Sequence, residues 1–225
     1  MAAFGVSALM GVEPTRFTVS MPRVTLELML PVVVLSILCA LVSILFCKGL
    51  HWTEHLLTRS FRNPWLRVLA GAAILIVLSL LTNGDYNGAG MDVIARALRG
   101  DVSGWAWLWK LLFTAVTIGC GFKGGEVVPS FFVGAAFGCF MGGLLGLPAG
   151  FGGAIGLVAV FCGAVNCPVA SVLLSVELFG SAGAPYFAVA CALSYLLSGY
   201  CGLYSSQTIL YSKLRAEFIN VRTHE

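Results

Sequence analysis

Apolar residues run almost unbroken along this chain, and the places where polar residues interrupt them set its reading. From Leu26 to Cys47 the only charge is Glu27. That stretch is long enough to cross a bilayer, which takes roughly 20 apolar residues. Trp65 to Leu81 predicts a second span. Between the two, Lys48, Arg59, Arg62 and Arg67 lie in and beside a connection that holds Asn63-Pro64, and a basic cluster of this kind marks the cytoplasmic side. Ahead of the first span, Phe4 to Met21 contains Glu13-Pro14 and reads as the end of a helix followed by a loop. After the second span, Asn83-Gly84-Asp85-Tyr86-Asn87-Gly88 is rich in turn formers and predicts a loop. Met91 to Arg99 mixes Asp92, Arg96 and Arg99 with apolar residues, which predicts a short amphipathic helix near the opposite surface.

From Trp105 onward the apolar segments come in quick succession with little polar linker. The expected helices are Trp105 to Cys120, Pro129 to Leu147, Phe151 to Val165, Pro168 to Phe179, Pro185 to Leu197 and Ser205 to Arg215. At 1.5 Å per residue several are too short to cross a bilayer core of about 30 Å upright. Helices that stop part-way need a protein-lined interior where their ends are satisfied. Gly134 and Gly138, Gly138 and Gly142, and Gly152 and Gly156 recur at the four-residue spacing that lets helices approach closely, and their plain reading is packing.

The most informative interruption is Gly124-Gly125-Glu126-Val127-Val128-Pro129. It reads as a helix stop followed by a helix start. Pro129 suits a first turn, where no intrahelical donor is lost. The N–H groups at that start have no intrahelical acceptor, and with the helix dipole they form a site for an anion. Broken helices whose N-termini face a substrate anion are a transporter device.

Composition agrees with a membrane protein. Hydrophobic residues make up 59% of the chain and charged residues 10%, against roughly 25% charged in a soluble domain. Between Val127 and Ser212 the one formal charge is Glu177. Met1 to Met10 lacks the basic start of a cleavable signal peptide. The net charge of +3 is too small to imply nucleic acid. The eight cysteines include no Cys-x-x-Cys pair, so packing is expected of them rather than a metal or a disulfide framework. An enzyme is disfavoured. No nucleophile and base are paired, and the histidines His51, His55 and His224 sit in basic or terminal segments with no metal spacing beyond the shared face of His51 and His55. No cofactor is expected.

Three side chains stand out. An intramembrane carboxylate is costly, so Glu126 is a candidate for function; the alternatives are a helix cap and an ion pair with Lys123. Glu177 lies near the end of a short helix, where the dipole disfavours an anion, so it is either near aqueous solvent or held by a partner, and a structural role is expected of it. Tyr204, at a break between two apolar segments, can donate a hydrogen bond to an anion, whereas Tyr200 suits a membrane interface.

Taken together, the order and spacing of these motifs resemble the second half of the CLC family of chloride channels and proton-coupled anion antiporters. Gly124 to Pro129 is similar to the family's Gly-Gly-x-Phe-x-Pro segment. Cys167-Pro168-Val169-Ala170 through Glu177 is similar to its helix led by alanine and proline that ends in Glu, and Gly202-Leu203-Tyr204-Ser205 to the segment with the central pore tyrosine at the start of the last helix. The resemblance runs from about Leu26 to Arg215. It implies an all-α, polytopic membrane protein of broken and short tilted helices, about one inverted repeat of the CLC fold, with residues 1–225 as a single transmembrane region and the first half absent. It implies an anion site at Gly124, Gly125, Glu126 and Val127, where the amides of Glu126 and Val127 and the Tyr204 hydroxyl hold a halide, chloride or fluoride. The break should lie deep in the protein with Tyr204 close to it. Glu126 is the proton-coupling candidate, since the family's gating glutamate belongs to the missing half. The Gly-Gly-Glu order is similar to the fluoride-exporting, proton-coupled branch, usually Gly-Gly-Glu-Val-Thr-Pro, with Val128 here in place of Thr; Val127 replaces the Phe of the wider family. The implied setting is the bacterial inner membrane, with lipid around a homodimer in the complete protein and the C-terminus in the cytoplasm. The rival reading is a non-transporting fragment, or a subunit that needs a partner carrying the first half.

Overall fold

The computed structural model describes residues 2–11, 16–148 and 150–223; Glu13-Pro14, His224 and Glu225 lie outside them. The described residues form α1 (Ala2–Leu9), α2 (Leu26–Ser60), α3 (Pro64–Leu81), α4 (Met91–Arg99), α5 (Ala106–Gly119), α6 (Val127–Leu144), α7 (Phe151–Val165), α8 (Pro168–Phe179) and α9 (Ala184–Leu197), then a hairpin of β1 (Thr208–Tyr211) and β2 (Phe218–Arg222). Helices α2, α3 and α6 are long and apolar enough to cross a membrane, and α5, α7, α8 and α9 are shorter apolar helices.

Helix α7 is the centre. It is apolar on every side, and its residues are buried almost without exception, as expected of a helix with no polar face. It packs between α2, α6 and α9. Against α6 the contact is backbone on backbone. A Cβ added to Gly134 would stand 2.4 Å from the Gly156 carbonyl oxygen, and one added to Gly138 would stand 2.3 Å from that of Gly152. The four-residue glycine spacing is therefore a packing device. All eight cysteines are free thiols, buried or half-buried.

Polar groups tie the periphery to this centre. The buried Tyr186 hydroxyl donates to the Arg23 carbonyl at 2.9 Å and accepts from Thr25 N–H at 3.0 Å, which fixes the approach to α2. The buried Lys110 ammonium, on α5, donates to the carbonyls of Tyr86 and Gly88 and so holds the predicted turn-rich loop on the bundle. Glu177 is exposed two residues before the end of α8.

Two expectations need correction. The first span does not stop near Cys47. α2 runs on to Ser60, about 52 Å in all at 1.5 Å per residue, so Lys48, His51 and Arg59 are helical. The apolar run ended at Lys48, but the helical residues did not. Secondly, Ser205 to Arg215 is not a helix. Ile209 faces Val221 and Tyr211 faces Phe218, and β-branched and aromatic residues fit a pleated ribbon better than a helix. Thr208 pairs with Arg222 and Tyr211 with Phe218, and Ser212 N–H closes the turn on the Glu217 carbonyl at 2.9 Å.

Candidate functional site

The break that begins α6 is built by the end of α5. Cys120 caps α5, and Gly121 turns the chain with φ of 94°. Gly121 N–H donates to the Ile118 carbonyl at 2.9 Å and Phe122 N–H to the Thr117 carbonyl at 3.2 Å. This is a Schellman ending, which needs a left-handed residue and finds one in glycine. Residues 122–125 are irregular, and Glu126 takes the N-cap place of α6. The first helical bond runs from Ser130 N–H to the Glu126 carbonyl at 3.2 Å. Pro129 has no N–H, so Val127 and Val128 head the helix with donors that have no intrahelical acceptor.

Glu126 is at the cap position without acting as a cap, because its side chain makes no capping hydrogen bond. It makes no ion pair with Lys123 either; among the described residues the salt bridge is Arg96 to Asp85, at 3.4 Å. Glu126 instead lines a cavity of about 210 Å3 together with Tyr204, Ser205 and, from α2, His51 and Glu54. Burial raises its carboxyl above the ordinary carboxylate range, and the charge of Glu54 raises it further. The helix dipole at α6 acts in the opposite direction.

Tyr204 reaches this cavity from the chain between α9 and β1. Its carbonyl accepts from Gln207 N–H at 3.0 Å and from the Thr223 hydroxyl at 2.7 Å. Next to it, Leu203 N–H donates to the Ala164 carbonyl near the end of α7 at 2.9 Å. His51 Nε2 lies 3.1 Å from the Gly202 carbonyl, and since a carbonyl only accepts, that nitrogen carries the proton. Tyr200 is separate. Its hydroxyl meets the Ser212 hydroxyl at 3.0 Å, away from the cavity.

The predicted residues are thus divided. Glu126 and Tyr204 come together. Gly124 and Gly125 face a different cavity, of about 520 Å3, lined by Tyr86, Lys110, Thr114 and Thr117; Ile118 borders both. Val127, half-buried at the head of α6, lines neither. The break is also less deep than expected, because Gly124 and Gly125 are exposed and a Cβ on either meets nothing within 4 Å. His51 and Glu54 were not foreseen as neighbours of Glu126. The signal available was their three-residue spacing on one helical face, and it was lost by ending the first span before them.

The Tyr204 side chain and the Glu126 carboxyl thus line one cavity at the head of α6. The sequence pattern of the family described as voltage gated chloride channel matches residues 1–199. A chloride/fluoride channel protein of Pseudomonas syringae pv. tomato (strain ATCC BAA-871 / DC3000) is 37% identical over 212 residues, covering 90% of this chain and 47% of that protein. The crystal structure of a CLC-type fluoride/proton antiporter superposes with a TM-score of 0.84 at 30% identity, over 89% of this chain and 51% of that one. The chain spans about half the length of the relatives it matches.

Proposed function

The chain belongs to the voltage gated chloride channel family, and from that membership we propose that it forms one repeat of a transporter that moves a halide across the bilayer in exchange for protons. The halide is held by the Tyr204 hydroxyl and by the N–H groups of Glu126 and Val127, which replace part of its hydration shell. Glu126 carries the proton, because protonation removes a negative charge from beside the anion. The observation that carries the reading is the convergence of Glu126 and Tyr204, distant in sequence, on one cavity at the head of α6. Fluoride is the preferred substrate of the reading, since the similar proteins are named for chloride/fluoride and fluoride/proton transport. The complete protein is a homodimer in the bacterial inner membrane, with lipid against the exposed face of α3 and the C-terminus in the cytoplasm.

The test is simultaneous fluoride, chloride and proton flux in liposomes holding this chain assembled with the other half of the fold. Tyr204→Phe removes one hydrogen bond to a charged ligand, worth about 1.5–3 kcal/mol, so the half-saturating fluoride concentration rises about ten- to a hundredfold. Glu126→Gln keeps the side-chain size, and the expected result is anion flux with altered proton movement. Wild-type affinity in the first variant together with wild-type coupling in the second would overturn the assignment.

A further inference from the structure

The segment that presents Tyr204 is gripped at both ends by one side chain, Asn166. Asn166 ends α7 in the left-handed conformation with φ of 59°, so its amide projects away from the helix axis beneath residues 201–207. Its Nδ2 donates to the Cys201 carbonyl at 2.9 Å and, at 3.5 Å, to the Gln207 side-chain carbonyl. Cys201 lies three residues before Tyr204 and Gln207 three residues after it. Gln207 completes the clasp. Its N–H donates to the Tyr204 carbonyl at 3.0 Å, and its Nε2 donates to the Val165 carbonyl at 3.1 Å.

An amide can flip, and a flipped Asn166 would set its oxygen against the Cys201 oxygen. Lys213 prevents this. Its ammonium donates to Asn166 Oδ1, to the Tyr195 carbonyl at 2.8 Å and to the Ser198 hydroxyl at 3.1 Å, and it lies 4.2 Å from the centre of the Tyr195 ring. An ammonium has donors only, so the oxygen of Asn166 must face it and the nitrogen must face Cys201 and Gln207. The same contact sets a positive charge at the C-terminal end of α9, where the helix dipole favours it.

We infer that Asn166, oriented by Lys213, is the positioning residue that sets where the Tyr204 hydroxyl stands in the anion site. The inference rests on the reading of Tyr204 as an anion ligand. An anion site gains from donors that are already in place, because no reorganisation is needed on binding, and a phenol on a loose loop would lack that advantage. Asn166 touches no anion itself. It acts through the backbone on either side of Tyr204.

Asn166→Asp tests this with little change of shape. Aspartate tolerates the left-handed conformation and keeps Lys213 as a partner, but it removes the donor and sets a carboxylate oxygen against two carbonyls. In the assembled transporter the half-saturating fluoride concentration should rise about five- to tenfold, with turnover at saturating fluoride within twofold of wild type. Lys213→Met should act in the same direction, and Lys213→Arg should restore much of the affinity. The deciding measurement is the same substitution in a Tyr204→Phe background. There, Asn166→Asp should change fluoride affinity less than twofold, because the hydroxyl it places is gone. An equal loss in both backgrounds, or no loss when Tyr204 is present, overturns the inference while leaving the tyrosine ligand standing. A Tyr204→Phe variant with wild-type affinity removes the ligand itself, and the positioning role with it. If Asn166→Asp does not fold, the Lys213→Met and Lys213→Arg pair in the two backgrounds gives the same decision.

Discussion

Replacing Gly138 by alanine separates the two central helices, and its cost can be worked from the packing. The new Cβ would stand 2.3 Å from the Gly152 carbonyl oxygen and 2.8 Å from the Gly156 Cα. Ordinary van der Waals contact begins near 3.4 Å, so the backbones must part by about 1 Å. Both obstacles are main-chain atoms of glycines, so no side chain can swing aside. A gap of 0.5–1 Å forfeits a quarter to a half of the dispersion well at each contact it opens, and overfilling a packed core costs about 1–3 kcal/mol. A backbone obstacle puts Gly138 at the upper end, and the gain of alanine over glycine inside a helix returns about 0.5–1 kcal/mol. The net expectation is a loss of about 2 kcal/mol. Gly143 is the control. It lies on α6 too, it is exposed, and its added Cβ meets nothing within 4 Å. Gly143→Ala should gain about 0.5–1 kcal/mol, so two chemically identical changes on one helix should differ by nearly 3 kcal/mol. Reversible unfolding in mixed micelles, followed by far-UV circular dichroism, measures both. Equal stabilities to within 0.5 kcal/mol would refute the close-packed α6–α7 seam.

The remaining expectations concern charge and topology. Glu54→Gln removes one of the two causes that raise Glu126, so the Glu126 carboxyl band in infrared titration should move to lower pH; an unmoved midpoint would mean that the two carboxylates do not sense each other across the cavity. The sign for stability follows. A carboxyl raised in the folded state contributes stability that is fully present below its ordinary value of 4.5 and lost as pH rises through the folded value, so Glu54→Gln should narrow that window from its upper side. The bond between His51 and the Gly202 carbonyl joins the polar end of α2 to the chain ahead of the hairpin, and the proposed cytoplasmic C-terminus then predicts that residues 48–67 and the tail from Lys213 share one side of the membrane. Single cysteines introduced in the two segments should both resist an impermeant external thiol reagent in intact cells, and labelling of one alone would contradict the arrangement.

The central helices were legible because their boundaries are written in proline, glycine and asparagine. Phe151–Val165 and Pro168–Phe179 form where the apolar runs predict them. One stops at Asn166 in the left-handed conformation, and the other starts on Pro168 in its first turn. Hydropathy gave less at the two ends of the described chain. It measures lipid compatibility and not helicity, so it ended α2 at its first lysine although the residues after Lys48 are sound helix formers. The tail failed for the opposite reason. Continuing a run of helices onto Ser205 ignored the β-branched and aromatic residues on both sides of a turn at residues 212–217, which a period-two reading would have weighed.

The candidate site was legible as far as backbone chemistry carries and no further. A glycine pair, a carboxylate and a proline announce a helix start, and the start is there. What the motif does not encode is which way each residue faces. The pair at Gly124 and Gly125 opens on one cavity while Glu126 opens on another. The partners of Glu126 then come from a helix that ended much earlier in the chain, and the packing of α2 against α5 and α6 brings Glu54 to the same space. That packing changes the chemistry of the residue the motif had singled out. A lone carboxylate at a helix N-terminus would stay ionised, because the dipole favours its charge. Burial and the charge of a second carboxylate across the cavity oppose that ionisation. Glu126 therefore owes its place to the local sequence and its electrostatic surroundings to the fold.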